Sequence, residues 1–268
     1  MSSSTSAVLS ERRGPLLLLR LNRPEARNAL NAELVAALHA ELLAAQSDPG
    51  VRCAVLCAAG RVFSAGADLK ALQALGAASS EENRADSQRL ADLLHLIYTS
   101  RLPVVAAVEG AAVAGGAGLA SVCDLVVAGE GARLGYTEVR LGFVAAVVMV
   151  FLVRAVGEKH ARELLLTGRL VPAAEAWRMG LVNEVVPDGQ AEARALELAA
   201  EIAQASSTAL ASTREMLGLL PGMGLQEGLR YAVGMNAWTR TTDDLKEGVA
   251  AFLEKREPSW RAVPTAAE

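Results

Sequence analysis

Apolar positions along the chain follow two periods. Nearly continuous apolar runs in "GPLLLLRLNRP" (14–24), "VRCAVLCAAG" (51–60), Pro103 to Val108 and "DLVVAG" (124–129) read as strands buried on both faces of a sheet. Pro24 stops the first of them. Between the runs the spacing becomes helical: Asn31 is placed to cap a helix carrying Leu34, Leu38 and Leu42 on one stripe, and Leu90, Leu93, Leu94 and Ile97 share a face of another. This β-α-β-α-β order predicts an α/β fold with a mainly parallel sheet and right-handed crossovers, whose ligands bind at the carboxyl ends of the strands. From about residue 145 the pattern turns helical, with one further strand at "LVNEVVP". The apolar run from Gly142 to Val153 reads as a buried helix too short to cross a bilayer. No Pro/Ser-rich linker or repeat interrupts the chain, so residues 1–268 are expected to form one domain, with 1–200 as the core and 201–268 as a helical C-terminal region.

Composition narrows the function. The 268 residues are 52% hydrophobic and 21% charged, a globular profile. A net charge of −4, with no basic run beyond Arg12-Arg13, argues against nucleic-acid binding. The opening "MSSSTSAVLSERRG" lacks the basic and apolar regions of a secretory signal, so a cytoplasmic protein without membrane spans is expected. Three cysteines make an odd count; Cys53 and Cys57 fall on one face of a strand and read as buried thiols. His39, His95 and His160 are scattered, which leaves neither a metal site nor a base for a serine or cysteine nucleophile. G-x-S-x-G, G-x-x-x-x-G-K-[ST] and G-x-G-x-x-G are all missing.

Two loops stand out against this background. "FSAGADLK" (63–70) and "VEGAAVAGGAGLASVCD" (108–124) both leave strand ends and enter helices through small residues. Small residues let something approach the backbone closely, either a ligand or another piece of the same protein. Each loop also offers N–H groups that a helix start leaves unbonded, where negative charge is favoured. Taken alone, 110–118 would be a packing turn; paired with 63–68 it reads as half of a donor pair. "LGYTEVRLG" sets Glu138 between a ligand loop and an apolar helix, where desolvation would raise its pKa and suit it to moving protons; the bland alternative is a surface glutamate at a helix start. Asp68 reads as a helix cap and Asp124 as an anchor for its strand's edge.

Five blocks then carry a resemblance: "LNRPEARNAL" (21–30), "FSAGADLK", "VEGAAVAGGAGLASVCDL", "LTGRLVPAAEAWRMGLVNEVVP" (166–187) and "TDDLKEGVAAFLEKREPSW" (242–260). In this order and spacing the chain resembles the enoyl-CoA hydratase/isomerase, or crotonase, superfamily. The resemblance implies a spiral of ββα units with a helical C-terminal part that assembles trimers or hexamers, and action on acyl-CoA thioesters. It implies that the Ala67 and Gly115 N–H groups hold the thioester oxygen, and that Glu138 is the catalytic acid–base. Ala65, Asp68, Leu69 and Lys70 would flank the coenzyme A, Arg27 would meet phosphate, and Lys255 would reach the nucleotide of a neighbouring subunit. For Lys70, Arg27 and Lys255 a solvated surface charge is the competing reading. No cofactor beyond the substrate's own coenzyme A, and no metal, is implied.

Two positions depart from the family pattern. Thr137 stands where proline usually precedes the glutamate. Gly118 stands where two-carboxylate hydratases carry their second glutamate, although it is expected to remain part of the substrate site. The expected activity is hydration of 2-enoyl-CoA; double-bond isomerisation on one glutamate, or a non-catalytic acyl-CoA-binding subunit, are the alternatives.

Overall fold

Strand β1 (Val8–Arg13) turns back antiparallel onto β2 (Leu16–Leu21), and every later pairing in the main sheet is parallel. The computed structural model describes residues 6–261; residues 1–5 and 262–268, which belong to the expected 1–268 domain, lie outside the described residues. The chain continues through α1 (Ala32–Ser47), β3 (Cys53–Ala58), α2 (Leu69–Leu75), α3 (Ser80–Thr99), β4 (Val104–Val108), β5 (Ala111–Val113), α4 (Gly115–Ser121), β6 (Leu125–Gly129), β7 (Arg133–Gly135) and α5 (Ala146–Thr167). It then forms β8 (Val171–Pro172), α6 (Ala173–Arg178), β9 (Glu184–Val186) and the helices α7 (Ala191–Ile202), α8 (Ser207–Leu219), α9 (Leu225–Thr239) and α10 (Asp243–Glu254).

The main sheet runs β1-β2-β3-β4-β6-β9, and a small second sheet runs β5-β7-β8. Each turn of the chain therefore lays one strand in the large sheet, a shorter one in the small sheet, and then a helix: β4, β5, α4, followed by β6, β7, α5. The turn after β3 does the same with a single bridge, Ser64 to Ala112, before α2. This is the expected ββα spiral, and it aligns the carboxyl ends of the short strands.

Alternation sorts the strand side chains between two layers. Leu17, Leu19, Leu21, Leu56 and Val104 pack with α1 and α3, whereas Leu16, Leu18, Cys53, Val55 and Cys57 pack against Ala191, Ala195 and Ala199 of α7. Burial on both faces explains the continuous apolar runs. It also pushes the Cys53 and Cys57 thiols up to about 12, so both stay protonated and apolar in character. The cysteines are free.

The run 142–153 differs from its expectation. Gly142 adopts a left-handed φ of +72° that ends a 3-10 turn, α5 begins only at Ala146, and Val144, Val150 and Val153 are exposed rather than buried. A buried arginine just before β3 ties the sheet to the C-terminal region. The Arg52 guanidinium donates to the carbonyls of Ala205 and Trp260, and burial lowers its pKa. No helix among the described residues is long and apolar enough to cross a membrane.

Candidate active site

The loop 63–68 is shaped by a tight turn just upstream. Arg27 and Asn28 both take left-handed φ of +52°, and Asn28 is fully buried, donating through Nδ2 to the carbonyls of Ala59 and Val62 while Oδ1 accepts from Arg23 N. Arg27 O then accepts from Ala65 N at 3.0 Å, and Ser64 Oγ donates to Asn28 O. Ser64 also couples the loop to β5, since its N–H donates to Ala111 O and its carbonyl accepts from Val113 N. Asn28 and Ser64 are positioning residues that the sequence reading missed; the asparagine inside "LNRPEARNAL" was the visible signal.

Leu30 then grips the loop on both sides of Ala67. Leu30 N donates to Gly66 O and Asp68 N to Leu30 O, so Ala67 N–H points away from this ladder and has no protein acceptor among the described residues. Gly66 allows the next element to close in: at φ +87°, a Cβ there would stand 2.7 Å from Val113 O and 3.3 Å from Gly115 N. Gly115 opens α4, and its N–H is likewise without a protein acceptor among the described residues. The preceding Ala114 holds φ +53° and ψ −124°, a costly backbone state for a residue with a side chain, fixed by its N–H donating to Gly135 O at 2.7 Å. Loop and helix start thus bring Ala67 and Gly115 together: a Cβ on Gly115 would stand 3.9 Å from Ala67 N.

Both residues line one cleft of about 330 Å³, walled by Leu30, Val35, Leu72, Leu75 and Leu90. Asp68 also lines it and caps α2, accepting from Lys70 N and Ala71 N. Burial pushes its pKa up, but those amides and the Arg23 guanidinium outweigh burial and leave it lowered, so it is a fixed anion rather than a proton carrier. Leu69, Lys70 and Arg27 are exposed and Ala65 is half-buried, and none of the four is among the residues that line the cleft. Lys255 is exposed at the left-handed end of α10.

Glu138 leaves the neighbouring short strand. Val113 pairs with Gly135, so Gly115 and Glu138 follow two adjacent strands out of the same sheet edge. Glu138 is 8% exposed, and its Oε2 is buried without a partner among the described residues. Burial raises its pKa, opposed only by its own backbone N–H.

The glycine stretch serves packing more than was expected. A Cβ at Gly116 would strike Ser64 at 2.6 Å, and one at Gly118 would strike Val148 Cγ1 of α5 at 2.2 Å. Gly118, expected to contact substrate, is buried where α5 closes onto α4. Asp124 acts as expected: Oδ2 accepts from Val104 N while Oδ1 accepts from Arg214 Nε.

The α/β spiral sets two amides without acceptors among the described residues, those of Ala67 and Gly115, on one cleft, and a desolvated carboxylate, Glu138, just beyond the neighbouring short strand, outside the cleft's own lining. The comparisons supply the class. The model of the enoyl-CoA hydratase/isomerase family matches residues 11–263. A Thermus thermophilus protein provisionally named an enoyl-CoA hydratase is 54% identical over 248 residues, covering 92% of this chain and 98% of its own. The 2,3-dehydroadipyl-CoA hydratase of Escherichia coli is 36% identical, covering 96% and 99%. The crystal structure of an enoyl-CoA hydratase from Mycobacterium smegmatis superposes with a TM-score of 0.90 at 33% identity, covering 96% and 99%. The chain belongs to the enoyl-CoA hydratase/isomerase family and is an acyl-CoA-processing enzyme.

Proposed function

We propose that the protein adds water across the double bond of 2-enoyl-CoA thioesters. The observation that carries this reading is the pair of unbonded N–H groups of Ala67 and Gly115, set side by side on an apolar cleft. A thioester oxygen accepting from both becomes an oxyanion as water attacks C3, and fixed donors in a dry site favour that charge over the ground-state carbonyl. Glu138, ionised, takes a proton from the attacking water as the C3–O bond forms and the C2=C3 electron pair moves into the enolate. The enolate then takes that proton back at C2, which yields the 3-hydroxyacyl thioester and restores the carboxylate. One carboxylate completes the cycle.

The contact of Val148 on Gly118 supports a single-carboxylate site and favours a second reading, in which Glu138 moves a proton from C2 to C4 and shifts a 3-enoyl double bond. Incubation in deuterated, oxygen-18-labelled water separates the two. Hydration of 2-enoyl-CoA puts solvent oxygen on C3 and deuterium on C2; isomerisation of 3-enoyl-CoA gains no oxygen, and that result alone would replace the first reading.

The reading extends to assembly and surroundings. Phe252, Leu225 and Leu253 are 82%, 77% and 74% exposed on α9 and α10, apolar surface of the kind buried between subunits of a trimer or hexamer. Met235 on α9 is half-buried among α8, α9 and α10. Within such an assembly Arg27 would meet a coenzyme A phosphate, Lys70 would flank the adenine and pantetheine end, and Lys255 would reach the nucleotide bound by a neighbouring subunit. No other cofactor takes part, and the bacterial relatives support a cytoplasmic setting.

A further inference from the structure

A second cleft of about 290 Å³ lies between α3, α5, α8 and the C-terminal end of α4, and it shares no lining residue with the acyl cleft. Its walls include Arg154, Arg214, Asp124, Asn183, Ser121 and Tyr98. Arg214 is 92% buried at its side chain by its 8% exposure. Its Nε donates to Asp124 Oδ1 at 2.6 Å and its Nη2 to Ile97 O at 2.8 Å, but its Nη1 is buried with no acceptor among the described residues. Asp124 does not supply that acceptor: its Oδ1 is held by Arg214 Nε and its Oδ2 accepts from Val104 N. A buried guanidinium nitrogen left without an acceptor is costly.

Two further side chains on the walls present unengaged donors among the described residues. Arg154 uses Nη1 on Val150 O, which leaves Nε and Nη2 without acceptors among the described residues. Asn183 accepts from Val126 N through Oδ1, and its Nδ2 is unengaged among the described residues. Two guanidiniums face one carboxylate, for a net charge of +1. A single water would satisfy Arg214 Nη1 but would leave that charge uncompensated.

We propose that this cleft binds a compact oxyanion, a carboxylate or phosphate group, between Arg154 and Arg214. Planar guanidinium forks suit both groups. The test is titration calorimetry on the full chain with inorganic phosphate and, separately, acetate, each against chloride at matched ionic strength. Saturable binding of either anion is expected, and the tighter one names the class. Arg154→Gln, at an exposed position, should weaken that binding at least tenfold without altering the circular dichroism, while Arg162→Gln elsewhere on α5 should leave it unchanged. Saturating coenzyme A should not compete. Absence of binding by both anions, wild-type affinity in Arg154→Gln, or displacement by coenzyme A would each overturn the proposal.

Discussion

Glu138 holds one carboxyl oxygen, Oε2, buried and without a hydrogen-bond partner among the described residues, and this makes the residue useful and costly at once. Glu138→Gln keeps the shape and removes the base, so kcat should fall by about 10²- to 10⁴-fold while acyl-CoA still binds. Stability should move the other way. Burial raises the folded-state pKa above the reference of 4.5, so the folded protein holds this proton more tightly than the unfolded chain does. Stability is then lost as pH rises from 4.5 through the raised value. At neutral pH the glutamine variant should melt higher than wild type, and the difference should shrink below pH 4.5; thermal melts at several pH values check this, and a variant that melts lower at pH 7 would contradict it. Gly66 offers a complementary test from the donor side. Alanine at φ +87°, with its Cβ 2.7 Å from Val113 O, must push the loop off β5 and carry Ala67 N–H with it. A displacement of about 1 Å at a catalytic group costs roughly 100-fold, so Gly66→Ala should lose at least that in kcat.

Helix α4 meets α5 through a glycine, and the contact sets how near two elements of the site can lie. Gly118→Ala should cost about 1–3 kcal/mol by overpacking against Val148. Adding Val148→Ala should recover part of it, with a coupling of at least about 0.5 kcal/mol in denaturant unfolding; strict additivity would mean that α5 yields freely. Elements of this kind show what sequence can and cannot carry. The strands β2, β3, β4 and β6 and the helices α1 and α3 were legible because each has a run or stripe long enough to display its period. Strands β5 and β7 have three residues each and β8 has two, too short for any alternation to register. Strand β1 was silent for another reason: as an edge strand with five of its six residues exposed, it has no apolar face to show. At the site, the resemblance pointed to Ala67, Gly115 and Glu138, but no spacing rule could tell that Gly116 and Gly118 leave room for Ser64 and Val148. That information is three-dimensional.

Across the whole molecule, the apolar surface of α9 and α10 predicts self-association. Light scattering at micromolar concentration should give a multiple of three protomers, and Phe252→Asp with Leu253→Asp should reduce it toward the monomer; a wild-type monomer would remove this expectation. The ends of the chain are interdependent in another way. Arg52 stands at the entrance to the first parallel strand, yet the two carbonyls that receive its guanidinium belong to residues 205 and 260. Synthesis proceeds from the N-terminus, so on the ribosome this arginine emerges long before either acceptor exists. Until the last helices arrive, the centre of the sheet has to keep that charge hydrated and its interior ajar. Closure of the sheet at this point is thus tied to the C-terminal helices, with the carbonyls of residues 205 and 260 as the latch.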